Sequence, residues 1–139
     1  MDVAVSSVDY EPPELSEQVP FTFTLLRMLP GPDRPDYWLG TLRQPLRWID
    51  DNVERSVPHI VICARWAGTQ IEEGFANLPV NISYVIDPAQ VTDPELSFDK
   101  CRYVAIGIAS DVSGGRILPK LTNILSGSIA RGFGFGKRK

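Results

Sequence analysis

The most apolar stretch of the chain is residues 59–66, a run rich in β-branched side chains. Its length and composition are typical of a strand that is buried on both faces. Four further segments have the alternating or β-branched pattern of strands: residues 21–28, 38–48, 80–86 and 102–109. The pattern therefore predicts a sheet of about five strands, with residues 59–66 in its centre.

Helical patterns are fewer and shorter. The spacing of Thr69 and Glu72 matches a capping box and precedes apolar residues at helical spacing, although Gly74 and Pro79 limit this helix to about two turns. Residues 92–95 predict one more helical turn. Residues 116–130 carry an apolar stripe at helical spacing, which predicts an amphipathic helix. The expected fold is α+β: a single antiparallel sheet of about five strands, one or two short helices, and a C-terminal amphipathic helix packed on one face.

The composition and the positions of proline and glycine suggest one domain with an extension at each end. Residues 1–20 contain several acids and three prolines without a regular period, and they predict an extended acidic arm. Residues 21–130 form the single α+β domain, which suits a chain of 139 residues. Residues 131–139 form a basic tail in which glycine alternates with phenylalanine.

The overall composition is that of an ordinary globular protein, with 43% hydrophobic and 22% charged residues. No apolar run has the length of a membrane span, and the N-terminus lacks the pattern of a signal peptide. We therefore expect a cytoplasmic protein without membrane association. In that compartment Cys63 and Cys101 are expected to be buried thiols rather than a disulfide.

Charge is distributed unevenly along the chain. Residues 1–99 contain 16 of the 17 acids and 6 of the 14 bases, whereas residues 100–139 contain 8 bases and a single acid, Asp111. Two interpretations stay open: the oppositely charged parts neutralise each other in the fold, which we favour, or the basic tail binds an acidic partner.

The sequence holds no recognisable catalytic constellation. His59 is the only histidine, which excludes a multi-histidine metal site, and we expect neither a metal nor a cofactor. Arg65 is unusual, because an arginine inside an apolar strand needs a carboxylate, an aromatic ring or a ligand as its partner. A glycine-containing loop follows the last strand and is able to present backbone N–H groups to an anion, although a plain turn is the favoured interpretation. The candidate ligand-binding residues are Arg65, Ser113, Gly114, Gly115 and Arg116.

The leading functional hypothesis is a non-catalytic protein-binding module, such as an inhibitor of the immunity-protein type or a small assembly protein. Its acidic residues would face a basic surface of another protein, since complementary charge gives fast and specific association. A homo-oligomer is a further hypothesis. The candidate partner-binding residues are Asp50, Asp51, Glu54, Glu72 and Glu73.

Two alternatives remain. The first is binding of nucleic acid or another polyanion through the tail residues Arg131, Lys137, Arg138 and Lys139, whose glycine and phenylalanine neighbours resemble the composition of single-strand binders. The second is a small enzyme with a site near Arg65 and the loop at residues 113–116. An enzyme is the less expected outcome, because no nucleophile or acid–base pair stands out.

Overall fold

A computed structural model describes residues 1–9, 13–31, 36–50, 52–66 and 69–115 of the chain. The strands are β1 (Asp2–Asp9), β2 (Phe21–Leu29), β3 (Tyr37–Asp50), β4 (Val53–Ala64), β5 (Leu78–Val85) and β6 (Cys101–Asp111). Each strand pairs antiparallel with the next, and β6 returns to pair with β1, so the six strands form a closed barrel. Among the described residues, no helix has the length and apolar character needed to cross a lipid bilayer.

The predicted α+β fold with a single open sheet is wrong. Helix in the described residues is limited to the four-residue α1 (Pro13–Ser16) and three short 3₁₀ turns. Strands β2 to β6 overlap the five predicted strands. Residues 2–9, which the sequence assigned to the extended N-terminal segment 1–20, instead form β1 and close the barrel. The predicted C-terminal helix at residues 116–130 lies outside the described residues.

The period of β1 is hidden by a bulge. Its register against β6 shifts between Val5 and Ser7, so the inward positions are Val3, Val5 and then Val8. A bulge inserts an extra residue and breaks the alternation by which a strand is recognised in a sequence. This is the physical reason why the pattern missed β1.

The short helix predicted after residue 69 is also absent. Gly74 and Asn77 in this segment have φ angles of 86° and 52°, which a right-handed helix does not accommodate. The apolar residues of the segment pack instead against the interior of the barrel: Ile71 is buried there, and Phe75 and Leu78 lie against it.

The interior of the barrel is filled with side chains from all six strands. Phe23, Ile60, Ile62 and Ile82 are among the largest fully buried residues. Leu15 of α1 belongs to the same cluster and is completely buried. The interior is therefore a packed core, as expected for a barrel of few strands.

A second apolar cluster lies on the outer face of β3, β4 and β5. Residues 86–100, which we call the covering loop, fold back over this face and bury Val61 and Cys63 of β4. Phe98 of the loop stacks on Tyr37 with ring centroids 3.8 Å apart, and its N–H donates to the carbonyl of Pro30 at 2.9 Å. The second half of β4 is therefore buried on both faces, in agreement with its uninterrupted apolar sequence.

The far ends of β3 and β4 form a hairpin, residues 46–57, which we call the arm. Pro45 and Pro58 lack an N–H, and the β3–β4 register shifts between the Thr41 and Leu46 pairs. Beyond this shift the ladder resumes, from Leu46 opposite Val57 to Asp50 opposite Val53. No other strand pairs with the arm in the described part of the chain.

Candidate functional site

The clearest candidate site lies where β4 leaves the barrel. Ala64 is the last buried residue of the strand, and the N–H of Arg65 donates to the carbonyl of Pro79 at 2.9 Å. The guanidinium of Arg65 lies over the Trp66 ring, with Cζ 4.7 Å from the ring centroid. Its Nη1 also donates to Oδ1 of Asn81 at 3.3 Å. Among the described residues, the partners of the Arg65 guanidinium are thus an aromatic ring and a neutral amide.

Beside this stack is an open cleft of about 320 Å³, which we call the Trp66 cleft. Ile106 and Ile108 of β6 and Pro79 of β5 supply apolar lining, and Asp9 of β1 adds a carboxylate. Trp66 itself is 57% exposed, although tryptophan is usually a well-buried residue. The arrangement combines an exposed aromatic ring, a cation already held in place, and an apolar floor.

Sequence reasoning singled out Arg65 but missed the rest of the cleft. Asp9 lies opposite Ile106, and Ser7 lies opposite Ile108, in the pairing between β1 and β6. This pairing joins segments about a hundred residues apart, so Asp9 reaches the cleft only because the barrel closes. A local pattern carries no signal for such a long-range contact.

The acidic residues predicted to bind a partner do not converge. Glu54 is exposed on the arm, and the backbone of Asp50 ends β3 beside it, while Asp51 lies outside the described residues. Glu72 and Glu73 are exposed in the loop between β4 and β5, which follows the opposite end of β4. The structure therefore separates them into two groups, and only the arm group adjoins an unpaired strand edge.

The loop after β6 uses its polar groups to hold the fold together. The buried carboxylate of Asp111 accepts from the N–H of Ser113 at 2.8 Å and from the N–H of Gly74 at 2.7 Å. Oγ of Ser113 accepts from the N–H of Asp2 at 2.7 Å. These bonds connect the end of β6 to the start of β1 and to the β4–β5 loop.

The other candidate ligand residues of this loop add little chemistry. Gly114 is exposed, with a φ of 68°, and Gly115 ends the 3₁₀ turn Ser113–Gly115. Arg116 lies outside the described residues, as do the proposed polyanion-binding residues Arg131, Lys137, Arg138 and Lys139. The described part of the chain shows no group of three or more His, Cys, Asp or Glu side chains placed to hold a metal ion.

Two titratable groups in the described part of the chain have shifted pKa values. Burial lowers the pKa of His59 on β4. Burial, and to a lesser degree the negative charge of Asp99, raises the pKa of the Cys101 thiol to about 11. Neither Cys63 nor Cys101 forms a disulfide. A thiol with so high a pKa is protonated near neutral pH, so Cys101 lacks the reactivity of a catalytic nucleophile.

Comparisons with protein-family models, with curated proteins and with solved structures found no match for this chain.

Proposed function

We propose that this protein is a non-catalytic module that binds another protein through the Trp66 cleft. The observation that carries the proposal is the exposed Trp66 ring stacked with Arg65 above an apolar floor. Tryptophan and arginine are the residues most enriched at the energetic centres of protein interfaces. Because the stack and the Asn81 bond already restrict Arg65, little conformational entropy is lost when a partner binds.

The charge of the barrel favours a protein over a nucleic acid as the partner of this face. All 17 acids of the chain precede residue 116, together with only 8 of the 14 bases. A surface with this excess of negative charge repels a phosphate backbone. Nucleic-acid binding would then depend on the basic residues after position 115, and it stays an untested alternative, as does an enzymatic role.

Under this proposal, the biological role of the module is that of an inhibitor of the immunity-protein type or of a small assembly protein. We propose a cytoplasmic setting for it, supported by the two cysteines, which form no disulfide and so suit a reducing compartment. A partner with a basic surface agrees with the acidic character of the barrel.

Affinity capture from the native organism with matched baits tests the proposal. The baits are the wild-type protein, Trp66→Ala, Arg65→Lys and the control Leu26→Ala, which removes another exposed apolar side chain on β2. We expect a partner that the wild type and Leu26→Ala retain but Trp66→Ala loses. With that partner purified, Trp66→Ala should weaken binding about 30-fold, as expected for an interface hot spot of about 2 kcal/mol.

Arg65→Lys separates stacking from charge. Lysine keeps the positive charge but lacks the planar guanidinium that stacks on an aromatic ring and donates from several nitrogens. We expect it to weaken binding less than Trp66→Ala but clearly more than Leu26→Ala. If Trp66→Ala retains every partner of the wild type at unchanged affinity, the proposal is wrong.

A further inference from the structure

On the β4 strand of the arm, a row of backbone N–H and C=O groups points away from β3. Asp50 and Val53 flank a two-residue turn and therefore form a hydrogen-bonded pair. Hydrogen-bonded and non-hydrogen-bonded pairs alternate along an antiparallel ladder. Glu54 and Ser56 are consequently in non-hydrogen-bonded positions, and their N–H and C=O groups point outward from the free edge of β4.

On the other strand of the arm, the corresponding outward groups are capped by side chains. The amide of Gln18 accepts from the N–H of Arg47 at 3.0 Å and donates to the carbonyl of the same residue. The N–H of Ile49 donates to Oε2 of Glu14 at 2.8 Å. Two side chains from the segment around α1 thus complete the β3 edge.

The β4 edge has no such cap in the described structure. Strand β5 pairs with β4 only between Ile60 and Ala64, and neither Glu54 nor Ser56 has a hydrogen-bond partner among the described residues. Both residues are exposed. An exposed edge with unpaired N–H and C=O groups is a template for an added strand.

A second copy of the chain fits this edge poorly. An antiparallel two-fold pairing centred on Glu54 places two carboxylates opposite each other, and one centred on Arg55 does the same with two guanidinium groups. Centring on Ser56 places Glu54 opposite Pro58, which has no N–H to donate. Each of these three symmetric registers therefore places like charges opposite each other or loses a backbone hydrogen bond. A different protein is thus favoured as the source of the added strand.

The side chains that border the edge define the chemistry of the added strand. Glu54 lies on one face, so a residue opposite it should be basic. The other face carries Val53, which is 52% exposed, the half-buried Arg55 and the buried Val57. A small cleft of about 90 Å³ continues the edge, with apolar lining that includes Pro58, Val85, Ile86 and Pro88.

We propose that the open edge of β4, from Val53 to Val57, receives an extended segment of another protein as an added antiparallel strand. Basic residues of that segment alternate with small aliphatic ones. This surface is separate from the Trp66 cleft, which follows the opposite end of β4.

The test uses a defined probe, the peptide acetyl-Lys-Val-Lys-Val-Lys-Val-amide, with the full-length protein. At saturating peptide, we expect the amide protons of Glu54 and Ser56 to exchange with solvent at least about tenfold more slowly. Those of Arg55 and Val57, already bonded to β3, should change little. No binding at millimolar peptide, or protection centred away from the arm, would overturn the proposal.

Substitutions at Ser56 test the hydrogen bond itself. Ser56→Pro removes the outward N–H and should weaken peptide binding about fivefold or more, whereas Ser56→Ala keeps the N–H and should bind within about twofold of wild type. Equal binding by Ser56→Pro and Ser56→Ala would count against strand addition.

Two modified peptides avoid any effect of a substitution on folding, because they use the wild-type protein. Methylating the peptide nitrogens that face β4 should abolish binding, and replacing every lysine by glutamate should weaken it at least about tenfold. Binding that survives both changes overturns the proposal. Trp66→Ala should leave peptide binding unchanged, so a failure of strand addition and a failure of the Trp66 cleft are distinguishable.

Discussion

At the scale of single residues, His59 is a polar side chain that the barrel buries in part. It lies on β4 opposite Thr41, and its Nδ1 is buried without a hydrogen-bond partner among the described residues. Burial disfavours the charged imidazolium, which explains why its pKa lies below the ordinary value. The folded protein therefore favours the neutral ring.

This lowered pKa predicts that the free energy of unfolding decreases as the pH is lowered from 7.5 to 5.5. Well above pH 6.5 the ring is neutral in both states, but as the pH falls through about 6.5 the unfolded chain binds a proton that the folded chain binds only at lower pH. Urea denaturation across this range measures the effect, and His59→Gln should flatten the pH dependence. Because His59 is the only histidine, its imidazole NMR signals can be titrated directly. A folded-state pKa at or above the unfolded value would contradict the prediction.

Arg65 shows the same dependence on surroundings. The sequence indicated that a charge in an apolar strand needs a partner, and it left a carboxylate, a ring and a ligand as alternatives. In the structure the guanidinium stacks on the neighbouring Trp66 and donates to Asn81 on β5. The ring is adjacent in the chain, but the amide is brought close only by the pairing of β4 with β5.

At the scale of elements, α1 is held by its surroundings and not by its own helical bonds. A single turn is too short to be stable in isolation. Leu15 anchors it in the core of the barrel, and the neighbouring Glu14 and Gln18 bond to the backbone of β3. This short segment thus closes one strand edge and fills part of the interior at the same time.

The anchoring role predicts a large effect for Leu15→Ala. Removing a fully buried leucine side chain should lower the free energy of unfolding by about 2–5 kcal/mol, since it leaves a cavity in the barrel core. Leu26→Ala is the matched control: Leu26 is 48% exposed, and its truncation should cost less than about 0.5 kcal/mol. Equilibrium urea denaturation of both variants measures the difference. Equal losses in the two variants would show that Leu15 is not part of the core.

At the scale of the whole molecule, the defining event is the pairing of β1 with β6. At this seam Gly107 lies against the bulged part of β1, and a Cβ atom added to it would sit 2.7 Å from the carbonyl oxygen of Ser7. A backbone atom of a paired strand cannot move away without disturbing the ladder. The absence of a side chain at this position therefore allows the two strands to approach.

We predict that Gly107→Ala lowers the free energy of unfolding by about 1–3 kcal/mol, the usual cost of overpacking a core. Gly40→Ala is the comparison, because its Cβ would first meet the ring of Phe23, at 2.8 Å, and not a backbone atom. We expect a smaller loss there, since a side chain adjusts more easily than a strand. Thermal and urea unfolding of both variants check which loses more stability. A larger loss for Gly40→Ala would contradict this account of the contact between β1 and β6.

The sequence by itself located strands within β2 to β6, although it missed the first six residues of β4, because alternation and β-branched runs are local consequences of strand geometry and burial. Within the predicted strand 59–66 it also located the buried stretch of β4 at residues 60–64, and it identified Arg65 as a charge in need of a partner. Only the tertiary structure decided that the sheet closes. The bulge in β1 masks its period, and the pairing of Val3 with Asp111 joins residues at distant positions of the chain. The Trp66 cleft follows from that closure, and the open edge of the arm follows from the end of the β4–β5 pairing at Ile60. Both depend on contacts between distant segments, which no local pattern records.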